Sequence, residues 1–422
     1  MTPGAAASAT HGTPHRKEPM DRWFEDDRLR YGVGIEDTFI PQTRPGHRRL
    51  DEYELTQHYS HWREDLELVA EAGAEFVRWG VPWYLVEPEP GVFDWSWTDQ
   101  VAEHMRALGI RCIVDLMHYG TPTWLDNAFL NSQYPERVAA YGRAVAERYR
   151  GVWDDFTPVN EPIVNAEWCG EMGNWPPYLT GLDGFLTVLK PLARGMVRTQ
   201  QEIAEANPDA VFVHVDAGFR YEGETTPLPR DVLEERRFLS LDLIMGRVDA
   251  THPLRGLLAE HGYTDDDLAW FAANAVSPDI VGVNYYPTFT TIRMDADGVK
   301  SPVVAGTAGL RDLTQLYSRR YGLPIIITET SLVGTPDEKI AWLRDSEAEI
   351  EALRGDGVPI IGYTWFPFLD LVDWLYRFDD KPVDDWMLDF GLVNLVRGGD
   401  QQLARQKNAA FDVYQEIARR HR

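Results

Sequence analysis

An eightfold alternation of short apolar runs with longer amphipathic stretches is the feature that most limits what this chain can fold into. The first four runs are YGVGIE (31–36), AEFVRWGVPW (74–83), IRCIVDLMH (110–118) and DDFTPVNE (154–161). Four more follow: AVFVHVDAG (210–218), DIVGVNYY (279–286), LPIIITET (323–330) and VPIIGYTWF (358–366). Nearly continuous apolar runs suit strands covered on both faces, as in a parallel sheet. The segments between them, such as SHWREDLELVAEAG and YPERVAAYGRAVAERYR, space their apolar residues at the helical period and carry charge on the opposite face. Eight such units in 422 residues predict an α/β fold, a single (β/α)8 TIM barrel over residues 21–422. A doubly wound open sheet is the alternative, but no strand is followed by the GxGxxG turn that would favour it. Residues 1–20, with Ala, Gly, Thr and Pro and no apolar core, read as a disordered tail.

Charge narrows the partners. The chain has 67 acidic against 41 basic residues, a net charge of −26. Such a surface repels phosphates and anionic headgroups, so neither nucleic acid nor membrane is an expected partner. No secretory signal opens the chain and no apolar stretch nears the roughly 18 residues of a membrane span. Cys112 and Cys169 are too few for a disulfide framework and lack metal-ligand spacing. Together these predict a cytoplasmic protein. No HExxH, Walker or GxSxG signature occurs, so neither metal nor cofactor is expected. His58 and His61 read as solvated side chains near a helix start. Asp265–Asp267, after Thr264, read as a helix N-terminus favoured by the dipole.

A barrel carries its chemistry at the C-terminal ends of its strands. Glu36, Arg78, His118, Asn160, Glu161, Asn284, Tyr286 and Glu329 all fall at run ends. Two signals stand out: Thr157-Pro158-Val159-Asn160-Glu161-Pro162 closing the fourth run, and Ile326-Ile327-Thr328-Glu329-Thr330 closing the seventh. Strands four and seven approach from opposite sides of a barrel, so their carboxylates can face each other across its mouth. A glycosidase needs such a pair, one protonated and one ionised. Taken singly, either Glu could cap the following helix. Pro162 biases Glu161 away from helical angles, which suits a strand-end projection better than a cap.

VNEP, GVNYY, IITET and GYTWFPFLDLVDW, in this order and spacing, resemble glycoside hydrolase family 1, the β-glucosidase family. YSHWREDLELVAEAGAEFVRWGVPW resembles the family's first helix and second strand, and the likeness runs from about residue 31 to about residue 395. The resemblance implies a retaining exo-β-glycosidase acting on a small β-glycoside or oligosaccharide. Glu161 would be the general acid/base and Glu329 the nucleophile of a double displacement. Arg78 and Tyr286 would contact the nucleophile. Asn160 and His118 would grip sugar hydroxyls, with Asn284 supporting them. Alternatives are another member of the clan, an endo-β-glycanase or transglycosidase, and a non-catalytic sugar-binding relative.

The chain departs from the family pattern at four places. Phe366 stands where the family has Trp, and Trp365, one residue earlier, would face the opposite side of a strand. Asp373 replaces the sugar-binding Glu, beside a retained Trp374. Glu36 aligns with a sugar-contacting Gln, and Tyr119 follows His118 where Trp is usual. All four are expected in the subsite for the non-reducing sugar. Asp373 would also repel a 6-phosphate, which argues against phosphoglycosides. Trp168, Trp175 and Trp386 are candidates for the rim or for an aglycone platform.

Overall fold

The computed structural model describes residues 22–223, 228–295 and 300–422. The tail expected over residues 1–20 lies outside them. All eight apolar runs are strands: β1 (Arg30–Gly34), β2 (Phe76–Gly80), β3 (Arg111–Asp115), β4 (Asp155–Thr157), β5 (Val211–Ala217), β6 (Ile280–Asn284), β7 (Ile325–Thr330) and β8 (Ile360–Trp365). They close in chain order into one barrel, each parallel to the next and β8 parallel to β1. The chain is therefore a (β/α)8 barrel.

Helices follow the strands in turn: α1 (His58–Glu71), α2 (Thr98–Leu108), α3 (Tyr134–Tyr149), α4 (Gly181–Ala206), α5 (Asp265–Ala273), α6 (Gly306–Tyr321), α7 (Pro336–Gly355) and α8 (Ala409–Arg420). The acid-led start of α5 is as expected, with Thr264 and Asp267 closing a capping box. α7 starts the same way, from Thr335 and Glu338 with Pro336 in its first turn. No helix among the described residues is long and apolar enough to cross a membrane. Cys112 and Cys169 are buried and unpaired.

Two cores share the strands. Phe76, Ile113, Val211, Val213, Val215, Ile280, Ile326 and Ile361 fill the barrel interior, and Phe24 joins them. The alternate residues, such as Val77, Trp79, Cys112 and Val114, pack outward against the helices. This period of two decides the site. Arg78 lies two residues beyond Phe76 and Asp115 two beyond Ile113, so both point inward where the interior meets the mouth.

His58 is not solvated. It is fully buried on the face of α1 that meets β2: Nδ1 lies 2.7 Å from Asp65 Oδ2, and Trp79 Nε1 donates to its Nε2 at 3.0 Å. Arg405, from a C-terminal strand (Leu403–Lys407), completes the cluster on Asp65 at 2.7 Å. A polar residue that early in a helix reads as exposed, but its ring and Asp65, seven residues on, lie on one face.

β1 ends on Gly34 because the Phe366 ring, just beyond β8, occupies the space a Cβ there would need. The same ring lies under the Arg78 guanidinium, 5.2 Å from centroid to Cζ. Replacing Gly34 with Ala is expected to cost about 1–3 kcal/mol by overpacking. It should lower the thermal midpoint and perturb the mouth through Phe366. An unchanged midpoint would remove Phe366 as a support of the mouth.

Candidate active site

A cavity of about 400 Å³ opens at the C-terminal ends of the strands. Glu36, His118, Tyr119, Glu161, Tyr286, Glu329 and Asp373 form its polar surface, while Trp168, Phe219, Phe289, Trp374, Leu388 and Phe390 supply much of the rest. No Lys or Arg lines it among the described residues.

Glu329 reaches this cavity through an irregularity in β7. Ile326 faces the interior, so in a regular strand Thr328 would face inward and Glu329 outward toward the helices. The pairing with β6 instead slips between Ile327 and Glu329, and the pairing with β8 slips between Ile327 and Thr330. The extra residue is a β-bulge, and it turns the Glu329 side chain into the mouth. There Arg78 Nη1 donates to Oε1 at 2.7 Å and Tyr286 Oη donates to Oε2 at 2.6 Å. Burial raises the Glu329 pKa, while the Arg78 charge and the Tyr286 bond oppose that rise. No helix uses Glu329 as a cap, since α7 is capped by Thr335.

Glu161 sits just past β4 with left-handed backbone angles (φ 43°, ψ 63°). It precedes a short helix, Pro162–Ala166, yet its side chain makes no capping bond. Such angles are uncommon for a residue with a Cβ, and they differ from the extended conformation that a following proline favours. They leave the carboxyl free to enter the cavity. Asn284 Nδ2 donates to its Oε1 at 2.7 Å, and the Tyr119 hydroxyl donates to Oε2. Burial, and then the charge of Glu329, push its pKa up to about 8. Two carboxyl groups in one cavity thus stand in different surroundings, one gripped by a cation and the other by neutral donors.

Arg78, fully buried, ties the site together. Nη2 donates to Asp115 Oδ2 at 2.6 Å and to Asn160 Oδ1 at 2.9 Å, and Nη1 also reaches the Thr328 carbonyl at 3.2 Å. Because Arg78 can only donate, Asn160 must present its oxygen to it and turn its NH₂ toward His118 Nε2, 2.8 Å away. His118 then donates from Nδ1 to Asp37 Oδ1 at 2.7 Å. The carboxylates of Asp37 and Glu36 push the His118 pKa up to about 10 against its burial. The Asn160 amide opposes this by needing the Nε2 lone pair, and the hydrogen bonds therefore select the neutral Nδ1–H tautomer. Asp37, Asp115 and His118 bring donor atoms within 4.8 Å of one another, but here Asp115 serves Arg78 and Asp37 serves His118.

Several expected sugar contacts lie elsewhere. Asn160 and Asn284 do not line the cavity: both are buried behind its wall, Asn160 bonded to Arg78 and His118, and Asn284 to Glu161 and Thr328. Arg78 is likewise behind the wall. Glu36 and His118 do line it, with Glu36 Oε1 held by the Thr38 N–H at 2.9 Å and hydroxyl at 2.6 Å. Asp373 lines it too, although its Oδ1 accepts from the Leu375 N–H at 2.8 Å. Trp374 and Trp168 form part of the wall, backed by the fully buried Trp175, whose ring centroid is 4.7 Å from that of Trp168. Trp365 faces outward, donating to the Phe390 carbonyl at 3.3 Å, and Phe366 stacks near His118 at 6.2 Å. Tyr119 touches Glu161, so not all four departures fall in a sugar subsite. Asp115, an acid inside the third run, and Asp37, an acid just past the first, were not among the expected site residues, and nothing in the sequence announces the bulge at Thr328.

Comparison with known proteins agrees at the level of fold and clan. A glycoside hydrolase family 42 model, described as β-galactosidase, matches residues 53–152. Aryl-phospho-β-D-glucosidase BglC of Bacillus subtilis (strain 168) is 23% identical over 94% of this chain and 93% of its own. The 6-phospho-β-glucosidase of Clostridium longisporum is 24% identical over 85% of each chain. β-Glucosidase from Thermotoga maritima, solved in complex with azafagomine, superposes with a TM-score of 0.78 over 94% of this chain and 98% of that one, at 19% identity. Together these likenesses place the chain in the clan of β-glycosidases built on a (β/α)8 barrel.

Proposed function

We propose that this protein is a retaining exo-β-glycosidase of glycoside hydrolase family 1, with Glu329 as nucleophile and Glu161 as general acid/base. The observation that carries the proposal is the asymmetry between two carboxyl groups in one cavity. Glu329 bonds to the Arg78 cation and the Tyr286 phenol, which favour the carboxylate that must attack the anomeric carbon. Glu161 has its pKa pushed up to about 8 and so holds, near neutral pH, the proton that the leaving oxygen needs. After attack by Glu329, the leaving group departs with that proton. Glu161, now ionised, takes a proton from the water that releases the sugar.

Exo action fits a cavity whose lining includes the segment residues Leu371, Asp373, Trp374 and Leu375 together with Phe219 and Phe289. The two buried free thiols fit a reducing, cytoplasmic compartment. Two full-length relatives carry phosphoglucosidase names, so a phosphorylated sugar is the competing substrate class. Four acidic side chains line the cavity and no Lys or Arg lines it among the described residues, which favours a neutral sugar.

Trapping separates these readings. A panel of 2-deoxy-2-fluoro β-glycosides, neutral and 6-phosphorylated, should add one glycosyl unit to Glu329 by intact mass and peptide mapping. The neutral members should react; no adduct with any member sinks the catalytic reading, and reaction of the phosphosugar alone sinks the neutral one. Replacing Glu329 with Gly should lower aryl-glycoside hydrolysis by a factor on the order of 10⁴ or more, with azide or formate restoring part of it.

The pH profile gives an independent test. Glu161 must be protonated to start the reaction, so kcat/KM should fall as pH rises through about 8. In Glu161→Ala this alkaline limb should vanish. A limb that persists in that variant belongs to another group.

A further inference from the structure

We propose that Tyr119 is the positioning residue of Glu161, fixing the carboxyl by a hydroxyl bond whose direction is dictated from the Arg78 side of the site. This inference rests on reading Glu161 as the acid/base and adds to it a residue that the family pattern does not supply.

The direction follows from the donors. Arg78 can only donate, which makes Asn160 Oδ1 an acceptor at 2.9 Å. The Asn160 NH₂ therefore has two protons to place. One goes to His118 Nε2 at 2.8 Å and the other to the Tyr119 oxygen at 3.3 Å. With its oxygen accepting from Asn160, the Tyr119 hydroxyl sends its own proton to Glu161 Oε2. A chain of bonds thus runs from the cation on Glu329 through Asn160 and Tyr119 to Glu161. The Trp usual in the family could not take this place, because an indole N–H has no lone pair to accept from Asn160.

The local fold holds Tyr119 to this task. Its backbone is left-handed (φ 77°), which disfavours a large side chain. The Asn165 amide nonetheless holds its carbonyl at 3.2 Å, and its ring packs on Trp175 at 5.0 Å and Trp374 at 5.3 Å.

Glu161 is faced from every side. Asn284 of β6 donates to it, Glu329 of β7 and Asp216 of β5 repel its charge, and Tyr286 stands beside Glu329. The Tyr119 and Asn284 bonds favour the carboxylate, against burial and the two neighbouring acids. Removing the Tyr119 hydroxyl deletes one bond to the charged form, so the acid keeps its proton to higher pH.

In Tyr119→Phe the alkaline limb of kcat/KM should move up by about one pH unit, with the acidic limb unmoved. The loss in kcat/KM should be about tenfold for a phenyl glycoside, which needs the acid, and slight for a dinitrophenyl glycoside, which does not. Should the Phe variant fold poorly, Tyr119→Trp keeps an aromatic ring without the hydroxyl and should shift the limb in the same direction. A folded variant with parental limbs and parental leaving-group dependence overturns the inference. Glu161→Ala, measured alongside, keeps the two readings apart. If it abolishes the limb while Tyr119→Phe leaves it in place, Tyr119 alone is misassigned; if the limb survives in Glu161→Ala, the acid/base reading fails first.

Discussion

The site depends on one buried cation. Arg78 is fully enclosed, and an isolated guanidinium there would cost several kcal/mol in lost hydration. It is tolerated because Glu329 and Asp115 neutralise it at 2.7 and 2.6 Å, and the Asn160 oxygen and Thr328 carbonyl take further protons. These four partners come from three different stretches of the barrel. β2 supplies the cation, β3 supplies Asp115, the end of β4 supplies Asn160, and the bulge of β7 supplies Thr328 and Glu329. Closing the barrel and balancing the charge are therefore one event. A strand out of register would leave an unpaired ion in a dry interior, so the chemistry of the mouth also specifies the fold.

The same cation separates the two glutamates. Both are deeply buried, and burial alone raises both pKa values. Glu329 has that rise opposed by a direct guanidinium contact, while Glu161 receives only neutral donors and feels the Glu329 charge. Asymmetry between chemically identical side chains thus comes from which of them touches Arg78.

The backbone of this arrangement was legible in the sequence. All eight apolar runs became barrel strands in order, since burial on both faces leaves a composition that local context does not mask. Residues at run ends pointed to the mouth for the same reason. What stayed hidden depends on single-residue geometry. The inward turn of Glu329 needs a bulge, and a sequence with one inserted residue in a strand looks like a strand one residue longer. Asn284 was expected to support the residues that grip sugar hydroxyls; that bulge brings Thr328 against its oxygen at 2.6 Å and leaves its amide for Glu161. Asn160 looked like a sugar ligand because it precedes the catalytic candidate, yet Arg78 and His118 use its polar atoms first. His58 was misread because a helix start is often wet, whereas this one leans on β2.

The departures from the family pattern divide by where their side chains land. Phe366 supports the site from behind, filling the space beside Gly34 and facing Arg78. Tyr119 belongs to the acid/base carboxyl. Glu36 and Asp373, which line the cavity as Tyr119 does, place altered acidic chemistry on its wall. Each has one oxygen already committed, to Thr38 and to the Leu375 N–H respectively, which orients the carboxylate and limits how far it can follow a ligand. Fixed carboxylates accept hydrogen bonds but offer none, so they select for hydroxyl or other donor groups and against phosphate or carboxylate. With the apolar walls formed by Phe219, Phe289, Leu388 and Phe390, the cavity joins an acceptor-rich polar surface to a greasy one. That combination suits a neutral sugar joined to an apolar leaving group better than a second charged sugar.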